Sequence, residues 1–224
     1  MISHEKRFIF IHIPRTGGTH LSQYLEPYCD EESLRFSPFE EEGHLHATLY
    51  EYVQYYGPAI KDYTIFTIVR NPWDRILSHA FKHNNGEFER DHFKKLVLAP
   101  WDLGLQPHSQ FNYFLNEKFR PDPGARDHTC VFIRWAPPRL IKYFIEVIEW
   151  PYFLEFENYA IEVPQMLNVL GVKYDAEKFK KKTNITKHKH YSHYYEEEER
   201  IAIAQTCGFD LQMLSYRYED RKNK

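Results

Sequence analysis

Two short segments concentrate the residue types that handle anions. The first is Pro14-Arg15-Thr16-Gly17-Gly18-Thr19-His20, directly after the apolar run Phe8-Ile9-Phe10-Ile11-His12-Ile13. Glycines at a strand-to-helix turn let the backbone approach a phosphate closely, and the first N–H groups of the helix point at it. Arg15 adds a full charge, and Thr16 and Thr19 add hydroxyl donors. The pattern is not G-x-x-x-x-G-K-[ST], because the lysine is missing. A tight turn with a helix cap is the plain alternative. The second segment, Arg70-Asn71-Pro72-Trp73-Asp74-Arg75-Ile76-Leu77-Ser78, follows the β-branched run Ile65 to Val69. Ser78 stands about two helical turns beyond Asn71, within reach of a ligand held by Arg70.

Both segments read as strand, turn, helix. The first helix is predicted from His20 to about Glu26. The second starts at Pro72, suited to a first helical turn, and stops near Asn84-Asn85-Gly86. In open α/β sheets ligands bind at the carboxyl ends of strands, so two such ends can hold two ends of one ligand. Further helices are predicted from Gly43 through Tyr56, Glu87 to Leu98, Pro137 to Tyr143, Ala160 to Leu170, and through Thr206. Strands are predicted at Cys130 to Ile133 and Tyr152 to Phe156, and a loop at Phe119 to Asp127. The chain of 224 residues is expected to form one α/β domain over 1–224, an open parallel sheet flanked by helices.

Ile13-Pro14-Arg15-Thr16-Gly17-Gly18-Thr19-His20-Leu21, followed by Arg70-Asn71-Pro72-Trp73-Asp74-Arg75 and Ser78, resembles the paired motifs of the PAPS-dependent sulfotransferases. The resemblance is nearest to the glycan O-sulfotransferase-like branch, with its P-K-T-G-G-T-S loop and R-N-P-x-[DE]-R-x-x-S segment. It implies a P-loop-type fold and 3′-phosphoadenosine 5′-phosphosulfate (PAPS) as co-substrate. It further implies that Pro14, Arg15, Thr16, Gly17, Gly18, Thr19 and His20 cradle the 5′-phosphosulfate and that Arg70 and Ser78 hold the 3′-phosphate. In the family a loop at the position of Thr183 to Tyr191 covers the nucleotide, which makes Lys187 and Lys189, with His188, further 3′-phosphate donors. Their flanking charge runs, Lys178 to Lys182 and Glu196 to Glu199, read as solvated faces. Phe153 to Tyr159 resembles the family's R-F-E-N-L turn, with Glu155 where the arginine stands, and Phe209 to Tyr218 resembles its closing helix.

Sulfuryl transfer to an alcohol needs a base for the hydroxyl proton, and histidine titrates in the right range. The related enzymes place a histidine between the two nucleotide motifs. His46-Ala47-Thr48 matches that placement, so His46 is the candidate base and Arg15 the candidate stabiliser of leaving-group charge. His44 is the reserve base or a substrate contact. A metal reading of His44 and His46 lacks the further ligands that a site requires. Leu105 to Gln110 resembles a region where the family often has a serine–glutamine pair near the acceptor cleft, so Ser109 and Gln110, with His108 beside them, are candidate substrate contacts; a loop and helix cap is the alternative.

The implied reaction is an in-line displacement on a hydroxyl of a carbohydrate or similar acceptor, with no metal in the scheme. Two departures from the family bear on it. Arg15 replaces the usual lysine, keeping charge but not readily giving up a proton, and His20 replaces a hydroxyl residue. They motivate a catalytically impaired nucleotide-binding protein as one alternative; a P-loop kinase-like phosphotransferase is another.

A net charge of −3 gives no basic field for nucleic acid. The 17 Tyr, 17 Phe and 4 Trp suit both a packed core and a sugar-stacking cleft. Three cysteines without C-x-x-C spacing point away from a disulfide framework or zinc site and fit a reducing compartment. No 18-residue apolar run is present. The expectation is a soluble cytoplasmic enzyme, bacterial, or a chain trimmed of its anchor. Acceptor and oligomeric state stay open.

Overall fold

A computed structural model describes residues 1–29, 47–99, 110, 151–179 and 188–222. In chain order the strands are β1 (Ile2–Ser3), β2 (Phe8–Ile11), β3 (Thr64–Val69) and β4 (Tyr152–Glu155). The helices are α1 (Gly18–Leu25), α2 (Leu49–Tyr56), α3 (Pro72–His83), α4 (Arg90–Leu98), α5 (Tyr159–Val169), α6 (Ala176–Phe179), α7 (Glu197–Thr206) and α8 (Gly208–Met213). The described residues gather into two compact units, one of 1–29, 47–69 and 151–179, the other of 70–99, 110 and 188–222.

The first unit is built on a sheet of order β1-β2-β3-β4, with β2, β3 and β4 parallel and β1 antiparallel at the edge. Side chains alternate between faces along each strand. Phe8, Phe10, Phe66, Ile68 and Leu154 share one cluster with Leu21 and Leu25 of α1 and Val163, Met166 and Leu167 of α5. Their neighbours Ile9, Ile11, Ile65 and Val69 are buried as well. Burial on both faces is why β2 and β3 read as continuous apolar runs rather than as alternating ones. Parallel pairing puts the carboxyl ends of β2 and β3 at the same end of the sheet.

α2 begins at Leu49, because Thr48 caps it. The Thr48 hydroxyl accepts from the Glu51 N–H at 3.3 Å, and the Glu51 carboxylate accepts from the Thr48 N–H at 2.7 Å. This reciprocal pair satisfies two donors that a helix start otherwise leaves open.

In the second unit α3, α4 and α7 enclose Trp73, Ile76, Leu77, Phe81, Phe93, Leu96 and Ile203. Cys207 lies in the same cluster, and burial pushes its thiol well up, so it packs as an apolar group. Two sequence expectations are corrected here. The run Glu196 to Glu199 is not a uniformly solvated face, since Glu199 is fully buried and forms an ion pair with Arg90. Its other oxygen accepts from the Glu196 N–H at 2.9 Å, closing the N-terminus of α7. The closing helix expected over Phe209 to Tyr218 ends at Met213; Ser215 takes a left-handed φ of 57° and turns the chain. Tyr218 then packs edge-on against Trp73 at 5.2 Å.

Glu199→Ala removes a buried carboxylate, the partner of Arg90 and the cap of α7 together. It is expected to lower unfolding stability by about 2–3 kcal/mol, with Glu199→Gln costing less. Urea unfolding of both variants beside the wild type measures this, and equal losses would contradict the ion-pair account.

The strand expected at Cys130 to Ile133, the helix at Pro137 to Tyr143 and the loop at Phe119 to Asp127 lie outside the described residues. Among the described residues, no helix is long and apolar enough to cross a membrane, and no group of three or more His, Cys, Asp or Glu is placed to hold a metal ion.

Candidate functional site

In the first unit the chain leaves β2 through His12 and Ile13, turns at Pro14 to Gly17 and enters α1. Arg15 has a φ of 68° and Gly17 a φ of 89°. A non-glycine residue held in the left-handed region is an uncommon conformation that surrounding structure must stabilise. Gly17 occupies the cap position of α1, with no side-chain cap hydrogen bond and no acidic residue in the first turn. The first turn thus supplies no carboxylate of its own, and the positive end of a helix favours anions.

Gly18 is required by contact. A Cβ at this position would lie 2.1 Å from Cδ2 and 2.5 Å from Nε2 of His12. His12 is buried, its ring stacked on Phe10 at 5.8 Å. The last turn residues of β2 and the first residue of α1 thus interlock ring against backbone.

The other residues of this loop divide by exposure. Thr19 is exposed, and Pro14, Arg15 and Gly17 are half-buried. Thr16 is fully buried, and its hydroxyl donates to the Ile13 carbonyl at 2.8 Å. Its side chain closes the turn, and the expected role as a hydroxyl donor to phosphate is corrected accordingly. His20 is likewise turned into the protein. Its Nδ1 lies 2.9 Å from the Tyr159 hydroxyl, and its ring packs among Tyr24, Tyr159 and Phe179. Burial pushes the Tyr159 phenol up, so it stays protonated. In this arrangement His20 fixes α1 to α5 rather than presenting an N–H at the helix start.

In the second unit Arg70 is one residue past the end of β3. Its guanidinium grips Asp74 by Nε at 2.8 Å and by a second nitrogen at 2.7 Å, both to Oδ2. Asn71 caps α3, accepting from the Trp73 N–H at 3.1 Å. The Asn71 amide also donates to the Tyr191 hydroxyl at 3.4 Å and the Arg217 carbonyl at 3.3 Å. Burial pushes the Tyr191 phenol up to about 12. Ser78 lies on α3 and is buried. His188 Nε2 stands 4.0 Å from the other Asp74 oxygen, the ring stacked on Phe81 at 5.2 Å. Lys189 is exposed. Arg70, Asp74 and His188 thus form one polar row in this unit.

Gln110 departs most from expectation. It is fully buried, and its side-chain amide makes two hydrogen bonds to the backbone of Arg70. Its amide thus faces the Arg70 backbone rather than solvent. His44, His46, His108, Ser109 and Lys187 lie outside the described residues.

A family model described as "Sulfotransferase family" matches residues 1–219, running through both units. The chain belongs to the sulfotransferase family. Membership implies a transferase that moves a sulfuryl group to a hydroxyl-bearing acceptor. Comparison with curated proteins and with solved structures returns no match.

Three residues of this sulfotransferase were not singled out by sequence. His12 reads as one more strand residue, and only its contact with Gly18 gives it a role. Asp74 had a signal, since it lies four positions after Arg70, in the first turn of α3, within reach of a side chain just past the end of β3. Asp210 had none, because its partner is 100 positions away.

Proposed function

We propose that the chain transfers the sulfuryl group of 3′-phosphoadenosine 5′-phosphosulfate to a hydroxyl of a carbohydrate or similar acceptor. The observation that carries the reading is the start of α1. A left-handed glycine, an uncapped helix N-terminus and Arg15 together form a cradle for a phosphate or phosphosulfate. Backbone N–H groups of Gly18 and Thr19 and the Arg15 guanidinium hold the 5′ end. Arg70, oriented by Asp74, holds the 3′-phosphate, with Ser78, Lys187 and Lys189 as the further donors the motif implies.

In the transfer, the acceptor oxygen bonds to sulfur as the bond from sulfur to the 5′-phosphate oxygen breaks. The hydroxyl proton passes to His46, and the leaving charge develops on the 5′-phosphate beside Arg15. Positioning and charge stabilisation carry most of such a reaction. His46 takes the base role from its place in His46-Ala47-Thr48, with Thr48 capping α2. His44 and His108 are the proposed acceptor contacts.

Calorimetric titration tests the donor. The wild type is expected to bind 3′-phosphoadenosine 5′-phosphate at least about tenfold more tightly than the same nucleotide without its 3′-phosphate. No binding, or no discrimination, would sink this reading. Arg15, with its left-handed backbone in place of a flexible lysine, also favours a second reading, a protein that binds the nucleotide without transfer. Donor binding without any sulfated product across an acceptor panel would select it.

A further inference from the structure

The polar groups of a strand's last residues need partners once the ladder ends. β3 pairs with β4 as far as Val69, opposite Glu155, and with β2 as far as Thr67, opposite Ile11. Arg70 stands one residue beyond, is buried, and is bonded through its backbone to Gln110. The Arg70 N–H donates to Gln110 Oε1 at 2.8 Å, and Gln110 Nε2 donates to the Arg70 carbonyl at 2.7 Å. A primary amide carries the same donor and acceptor as a peptide group. Gln110 therefore stands in for one residue of a neighbouring antiparallel strand, exchanging both bonds with a single residue. It is itself anchored, its backbone N–H donating to the buried Asp210 carboxylate at 2.5 Å.

We propose that Gln110 is a positioning residue for recognition of the 3′-phosphate. With its anchor Asp210 it locks the Arg70 backbone, so that the guanidinium, held from the other side by Asp74, keeps one direction. The proposal rests on the reading that Arg70 binds the 3′-phosphate. It accounts for why a glutamine lies near the nucleotide motif and yet has no exposed surface. Serine or asparagine at 110 is too short to reproduce the pair, and an ionised glutamate lacks the donor.

The test compares 3′-phosphoadenosine 5′-phosphate with the same nucleotide lacking the 3′-phosphate, by calorimetry, for wild type, Gln110→Met and Gln110→Glu. Methionine keeps the volume and removes both bonds. Glutamate keeps the shape and the acceptor for the Arg70 N–H but turns a second acceptor toward the Arg70 carbonyl. In both variants the preference for the 3′-phosphate is expected to fall about tenfold, with affinity for the other nucleotide within about twofold of wild type. Gln110→Glu, the isosteric change, carries the test if Gln110→Met does not fold. Full retention of the preference in a folded variant overturns the proposal. So does an equal loss for both nucleotides accompanied by a lower Tm, which marks a structural role alone. A wild type that does not discriminate overturns the donor reading, and this proposal with it.

Discussion

Gly18→Ala is expected to destabilise the protein by about 2–3 kcal/mol and to abolish measurable binding of 3′-phosphoadenosine 5′-phosphate. The added methyl would lie 2.1 Å from a ring atom of His12, a distance no van der Waals contact allows. His12 cannot easily yield, being buried and stacked on Phe10. The start of α1 must move instead, and with it the amide groups proposed to hold the phosphate. Gly17 makes a useful control. Its constraint is a φ of 89°, with the nearest side-chain atom of Phe156 at 3.1 Å, so Gly17→Ala is mainly a backbone-strain change. The contact account makes a further demand. His12→Ala combined with Gly18→Ala is expected to recover at least about 1 kcal/mol relative to the sum of the two single changes. Urea unfolding of the four proteins of this cycle gives the coupling, and strict additivity would show that His12 is not what excludes a side chain at 18.

Arg70→Ala is expected to weaken 3′-phosphoadenosine 5′-phosphate binding by about 100-fold, with affinity for the nucleotide lacking the 3′-phosphate changed less than about threefold. A guanidinium that already holds Asp74 has its direction set before the ligand arrives, which lowers the ordering cost of binding. Arg70→Lys is expected to recover little of the loss. A lysine keeps the charge but cannot grip Asp74 through two nitrogens and face a phosphate at the same time. Asp74→Asn is expected to fall between wild type and Arg70→Ala, at roughly tenfold. An equal loss for the two nucleotides in Arg70→Ala would remove Arg70 from 3′-phosphate recognition and leave it a structural residue.

Within α3 the contrast between kinds of information is plain. Its start at Pro72 and its stop before Asn85 and Gly86 follow from neighbours within four residues, and the structure has them where the sequence puts them. The same holds for α5, which ends just before Gly171, and for α7, which ends at Thr206. The buried strands β2 and β3 were legible because burial on two faces leaves a nearly continuous apolar run, and β4 from its short run Tyr152-Phe153-Leu154. The α/β class and the two strand–turn–helix segments were legible for the same local reason: glycine and proline act on the backbone where they stand.

What escaped was set by partners far along the chain. Glu199 reads as one of four consecutive acidic residues, and only Arg90, 109 positions away, makes it a buried group. His20 reads as a possible phosphate ligand, and Tyr159, 139 positions away, turns it inward. Gln110 reads as a surface contact until its amide is found on the Arg70 backbone, 40 positions away, with Asp210 behind it. Residue type and local spacing determined the strands, the helix ends, the turn chemistry and which residues carry charge. Whether a polar side chain meets solvent or a buried partner was decided by tertiary packing alone. Pairing at long range depends on which surfaces the fold brings together, and no short window of sequence contains that distance.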